Sequence, residues 1–172
     1  MARLAQTTSS AKPSGHFRRL AAAFSLVELV VVLVILACLA GIATPRYAAS
    51  LNNYGASTAA RRIVADLAYA QSLARTSGVT RTVTFDQTNN QYQIVGLTDP
   101  DKPSQTYTVS LAAAPYRGTI AAVGLMAGTT AVTQVTFDKY GFPNAGGTIT
   151  VQVGTVQMTA TLNITSGKAT VP

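Results

Sequence analysis

From Phe24 to Ala43 every position is apolar except Ser25 and Glu28. At 1.5 Å per residue, a helix of this length spans about 30 Å, one bilayer core. Polar residues enter beyond Pro45, and the apolar ones then recur at helical spacing: Tyr47, Leu51 and Tyr54, followed by Ile63, Leu67, Ala70 and Ala74. The pattern predicts one long helix from about Phe24 to Ser77, apolar all round in its first half and striped in its second. Pro45 lacks a backbone donor and crowds the preceding turn, so a kink is expected there. Asn52, Asn53 and Gly55 mark a weak point within the helix, and Gly78 supplies a stop. Arg61, Arg62, Asp66 and Arg75 fall on the side expected to be solvated. Arg62 and Asp66, four apart, can pair there for about 0.3 kcal/mol.

From Val79 onward the period changes to two. In VTRTVTFD, Val79, Val83 and Phe85 share one face and the threonines share the other, the mark of a half-buried strand. Thr88-Asn89-Asn90 turns the chain into NQYQIVGL, where Tyr92 and Ile94 face one side. The Asp99 to Pro103 loop leads to QTYTVSL. Thr119 to Leu125 reads as a further strand, and AVTQVTFD as another, ending at the turn Tyr140-Gly141-Phe142-Pro143. TITVQV and VQMTATLNI flank a hairpin at Gly154-Thr155, and a last short strand covers Ala169 to Val171. The expected architecture is α+β: a long N-terminal helix whose amphipathic half packs against a C-terminal antiparallel sheet.

Glu28 is the informative residue of the apolar run. An ionised carboxylate in such surroundings costs ~2.5 kcal/mol or more unless it is paired, or unless it sits at headgroup depth in contact with water. A small residue, then Phe-Ser-Leu-Val-Glu-Leu, a hydrophobic helix and Pro45 together resemble the leader signal of type IV pilins and type II secretion pseudopilins. In that family a prepilin peptidase cuts before the aromatic residue and methylates the new amine. The resemblance implies cleavage between Ala23 and Phe24, N-methylation of Phe24, and assembly roles for Glu28 and Pro45. Ala23 stands where the family usually has Gly. Cleavage would leave an ammonium on Phe24, and Glu28 of a neighbouring subunit could supply the opposite charge it lacks. Two other processing readings compete: a lipoprotein signal at Ile35-Leu36-Ala37-Cys38, and ordinary signal peptidase cleavage at Gly41-Ile42-Ala43. Neither accounts for Glu28.

The implied division is a leader over 1–23, a membrane and polymerisation helix over 24–45, and a head over 46–172. The leader is basic through Arg3, Lys12, Arg18 and Arg19, which keeps its side in the cytoplasm and sends the head outward. The expected location is therefore the inner membrane, single-pass, with the head in the periplasm. Formal charge is +7 overall, but the leader carries four of the thirteen basic residues and none of the acids. The high net charge is thus in part a leader property and weak evidence for a polyanionic partner. Cys38 is the sole cysteine, so no intramolecular disulfide can form, and the sole histidine, His16, lies in the leader. The outer acids Asp86, Asp99, Asp101 and Asp138 border expected turns, where Asp bonds nearby backbone. Asp99 and Asp101 have a calcium-loop spacing, yet two carboxylates fall well short of the six to eight oxygens a site takes. No enzyme, cofactor or metal is expected.

The region after the membrane run narrows the likeness. Asp66-Leu67-Ala68-Tyr69-Ala70-Gln71-Ser72-Leu73-Ala74, then Val83-Thr84-Phe85-Asp86, and Val135-Thr136-Phe137 with Gly141 downstream resemble the GspH/FimT branch of pseudopilins. That resemblance implies a minor pseudopilin of a type II secretion pseudopilus, or alternatively a minor type IV pilin acting in pilus assembly or DNA uptake. The implied partners are other pilin or pseudopilin subunits, the prepilin peptidase, and secreted cargo or DNA. Candidate DNA contacts are Arg61, Arg62, Arg75, Lys139 and Lys168, together with Arg81 and Arg117. Scattered cations of this kind also serve plain solubility.

Overall fold

A computed structural model describes residues 25–172, apart from the side chains of residues 42–45. Helix α1 runs Leu26–Ser77 and ends where Gly78 takes a φ of +65°, the left-handed conformation that closes a helix C-terminus. The described residues divide into two units, one ending at Gly41 and the other running from Ile42 to Pro172. In the first, the described residues from Leu26 are helical and exposed throughout. The second is the head.

The strands of the head are β1 (Arg81–Asp86), β2 (Gln91–Thr98), β3 (Thr106–Ser110), β4 (Thr119–Ala127), β5 (Thr130–Val132), β6 (Gln134–Phe137), β7 (Gly146–Val153), β8 (Val156–Leu162) and β9 (Ala169–Thr170). They form two antiparallel sheets, ordered β3-β2-β1-β6 and β5-β4-β7-β8-β9. Alternation along the strands works as the period of two requires. Val83 and Phe85, Tyr92 and Ile94, and Val135 and Phe137 are all buried, and Thr82 meets Thr136 across the β1–β6 pair at 2.9 Å. Against them lies the helix face Ala59, Ile63, Leu67, Ala70 and Ala74, and the second sheet completes the same core with Leu125, Ile149, Val151, Ala160 and Leu162. The alanines on that face leave the helix backbone free to approach the strands closely.

Asn90 ties the two sheets together. It sits in the β1–β2 turn with φ of 51°; its carbonyl accepts the Leu111 N–H at 2.8 Å and its side-chain oxygen accepts the Ile120 N–H at 2.9 Å. A turn joining the two central strands of one sheet thereby holds the entry to β4 in the other.

Three features depart from the pattern reading, and the long helix it predicts is continuous. The head has two sheets where one was expected. AVTQVTFD is not a single strand: the chain bends at Thr133, whose carbonyl accepts the Phe85 N–H, so β5 pairs with β4 in one sheet while β6 pairs with β1 in the other. The weak point at Asn52 to Gly55 does not interrupt α1. Gly55 serves close packing instead, since a Cβ there would lie 2.8 Å from the Tyr116 carbonyl oxygen. Finally, Tyr47, Leu51 and Tyr54 continue the helical spacing but stay exposed; Val79 is exposed too, just ahead of β1.

Candidate functional site

The segment expected to mediate assembly is the exposed apolar stretch of α1. Its large side chains from Leu26 to Leu39 are 42–78% exposed, and a helix with no polar face has no stable partner in water. Glu28 lies in the first turn, where the helix dipole favours a negative charge, and the helix opens with the Leu29 N–H donating to the Ser25 carbonyl at 3.1 Å. Among the described residues the one ion pair is Arg62 with Asp66, so none of them neutralises Glu28. The expected cleavage residues Ala23 and Phe24 lie outside the described residues, as does the Pro45 side chain, although α1 is helical through Pro45. Cys38 is a free, exposed thiol within the apolar run.

In the head, one placement corrects the sequence reading. Asp66 is not on a solvated face; it is 6% exposed. Its carboxylate accepts from the Tyr92 hydroxyl at 2.5 Å, the Tyr107 hydroxyl at 3.1 Å and Arg62 Nε at 3.0 Å, and Arg62 Nη2 in turn donates to the Tyr107 oxygen at 2.5 Å. The i,i+4 pair that would be worth little on a surface is therefore the outer edge of a network linking α1 to β2 and β3. A signal for this was present: Asp66 is three residues after Ile63 and four before Ala70, on the apolar stripe itself. The tyrosine partners carry no comparable signal, since only folding brings positions 66, 92 and 107 together.

Burial first, and the Asp66 charge second, push the Tyr92 hydroxyl well above the ordinary tyrosine range; the same two causes raise Tyr107. The unfolded chain releases these protons near pH ~10 whereas the folded chain keeps them. Their contribution is thus present below that pH and lost as pH rises toward the folded-state value. In an alkaline titration the Tyr92 phenolate should appear only together with loss of circular dichroism, and Tyr92→Phe should flatten the alkaline fall in stability. An unchanged alkaline profile in Tyr92→Phe would contradict this.

The candidate DNA contacts separate into groups. Arg61 and Arg62 lie on the middle of the helical part of the head, roughly 20 Å along the axis from Arg75 at 1.5 Å per residue. Arg62 is engaged by Asp66 and Tyr107, and Arg81 Nη1 donates to the Gly96 carbonyl at 3.0 Å. Arg75 and Lys139 do come together, and the segment that carries Lys168 packs beside them: Arg75 Nε donates to the Tyr140 carbonyl at 3.0 Å, Lys139 Nζ lies 5.1 Å from the Tyr140 ring centre, and Gln71 Nε2 bridges the Gly141 and Ser166 carbonyls. Of the two carboxylates weighed as calcium ligands, that of Asp99 is used locally. Asp99 accepts the Asp101 N–H at 2.9 Å, and among the described residues no group of three or more His, Cys, Asp or Glu side chains could hold a metal. Asp86 likewise accepts from the Asn89 side chain at 2.6 Å and backbone at 3.0 Å, which holds its carboxyl below the usual range.

Residues 59–167, which include the helix stripe, the Asp66 network and every strand but β9, match the family described as type II transport protein GspH. This chain belongs to the GspH family. Residues 18–44 match the prokaryotic N-terminal methylation motif, a span that includes Phe24 and Glu28. GspH-type chains are pseudopilin and type IV pilin relatives, structural subunits rather than an enzyme family, and they assemble with other pilin-type subunits. An apolar N-terminal helix under that motif fits membrane anchoring. Two crystal structures of the minor type IV pilin FimU of Pseudomonas aeruginosa are also similar. One, at 17% identity and TM-score 0.46, covers 70% of this chain and 90% of its own; the other, at 14% and 0.47, covers 67% and 91%. No curated protein sequence matches this chain.

Proposed function

We propose that this GspH-family chain is a minor pseudopilin, a low-copy structural subunit of a type II secretion pseudopilus involved in protein secretion. Its precursor inserts through the apolar helix, prepilin peptidase cuts between Ala23 and Phe24 and methylates the new amine, and the head lies in the periplasm. The observation that supports this most directly is the exposed apolar segment from Leu26 to Leu39 with Glu28 as its one acid. Lipid can cover the apolar surface of a monomer but leaves the carboxylate without a partner. A filament covers the same surface with neighbouring helices and brings a second subunit's Phe24 ammonium to Glu28.

Two measurements on the native host test the proposal. The mass of the membrane-extracted protein should correspond to a chain that begins at Phe24 and carries one methyl group; a chain beginning at Met1, or at a lipidated Cys38, would overturn the processing step. Deleting the gene should stop export of secreted enzymes while leaving pilus-dependent motility and DNA uptake intact. The opposite outcome would assign the chain to a type IV pilus.

A further inference from the structure

Where β6 leaves its sheet, the loop from Asp138 to Pro143 shows two aromatic rings to solvent: Tyr140 is 64% exposed and Phe142 54%, with Ile164 at 48% on the segment packed beside them. A single exposed apolar side chain is ordinary, but a cluster held on a braced loop is a binding feature. The bracing is dense. Asp138 Oδ1 accepts the N–H groups of both Tyr140 and Phe142, at 2.9 and 2.8 Å, while the Asp138 N–H donates to the Phe142 carbonyl and the Gly141 N–H to the Asp138 carbonyl. From the helix, Arg75 holds the Tyr140 carbonyl and Gln71 holds those of Gly141 and Ser166. Gly141 takes φ of +83°, and a Cβ there would strike the Arg75 side chain, so the turn has one backbone solution. A loop backbone fixed in this way loses little entropy on binding, which is what a pre-organised platform for the two rings provides.

The surrounding charge selects the partner. Arg75 and Lys139 flank Tyr140, and the exposed Lys168 follows Gly167, which lies against Gly141 and Pro143; the neighbouring carboxylate, Asp138, is already turned inward onto backbone donors. We propose that this loop pair is a docking surface for another protein that presents an apolar recess rimmed by carboxylates, with Tyr140 and Phe142 as anchors and the three cations as the matching rim. A second copy of this chain is a poor candidate. From Arg46 to Pro172 the head carries nine basic and five acidic residues, and Asp66 is buried. This surface belongs to the head alone, and the proposal stands whether or not Glu28 drives assembly.

The test places the photo-crosslinker benzoylphenylalanine at position 142 of the full-length chain in host membranes, with the exposed Val95 position as control. The expected product is an adduct with a different protein, formed at position 142 and not at 95, whose cross-linked peptide contains apolar residues flanked by Asp or Glu. Its yield should fall at least about fivefold in Lys139→Glu/Lys168→Glu and survive in Lys139→Arg/Lys168→Arg. Raising ionic strength on permeabilised membranes, which needs no substitution, should lower it as well. A nuclease-sensitive adduct, a lipid adduct, a self-adduct, equal yield at the control position, or indifference to both charge reversal and salt would each overturn the proposal.

Discussion

Glu28→Val is expected to leave insertion, cleavage and methylation intact and to abolish incorporation of the subunit into filaments. The substitution removes the one charge from the apolar segment, which by insertion energetics favours membrane residence by about 2.5–3.5 kcal/mol. A failure to assemble could not then be blamed on a failure to insert. What is lost is the attraction between a carboxylate and a neighbour's Phe24 ammonium in a medium of low dielectric, where breaking a pair costs far more than it does at a surface. Glu28→Gln should show an intermediate defect, because it keeps an acceptor but not the charge. Cleaved subunit counted in sheared filaments against cleaved subunit in the membrane gives the readout. Wild-type incorporation of Glu28→Val would remove the proposed mechanism while leaving family membership untouched.

The second large effect is expected at Asp66. Truncation to alanine removes the acceptor for a buried tyrosine hydroxyl and for part of another, and leaves a void beneath β2 and β3. Orphaning a buried donor costs about 1–3 kcal/mol, and hydrogen bonds to a charged group about 1.5–3. A total near 3 kcal/mol is expected, a drop of about 10 °C in midpoint for a unit of this size. Asp66→Asn should lose roughly half as much, since one amide oxygen still accepts. Arg62→Ala, by contrast, should cost under about 1 kcal/mol, because Arg62 is 42% exposed and Tyr92 still satisfies the carboxylate. Chemical denaturation of the three variants checks the order. An Arg62→Ala loss equal to that of Asp66→Ala would mean that the ion pair, rather than the buried tyrosine contact, holds the network.

The site calls for the same distinction between local and non-local information. The candidate DNA cations were all visible in the sequence, but their grouping was not: Arg75 and Lys139 meet, with the segment of Lys168 beside them, because two loops close over the last turns of the helix, whereas Arg61 and Arg62 lie well down its axis. The expected aspartate turns were legible because each such contact is made within a few residues. Asp138 reaches residues two and four positions ahead, and Asp86 three. The Asp66 network was half legible, in that the Arg62 spacing was local while Tyr92 and Tyr107 stand 26 and 41 residues away.

By itself the sequence determined the long helix, its apolar and striped halves, most of the strand positions, and the isolation of Glu28 in the apolar run. Each of these follows from spacing or composition within one element, where the 3.6 and 2.0 periods act on neighbouring residues. Only the tertiary structure decided that the strands form two sheets, that the chain changes sheet at Thr133, that Gly55 packs rather than breaks, and that Asp66 is buried. These depend on which distant strand supplies the next hydrogen bond or covers the next side chain. A periodic pattern says which face is apolar; only packing says what meets it.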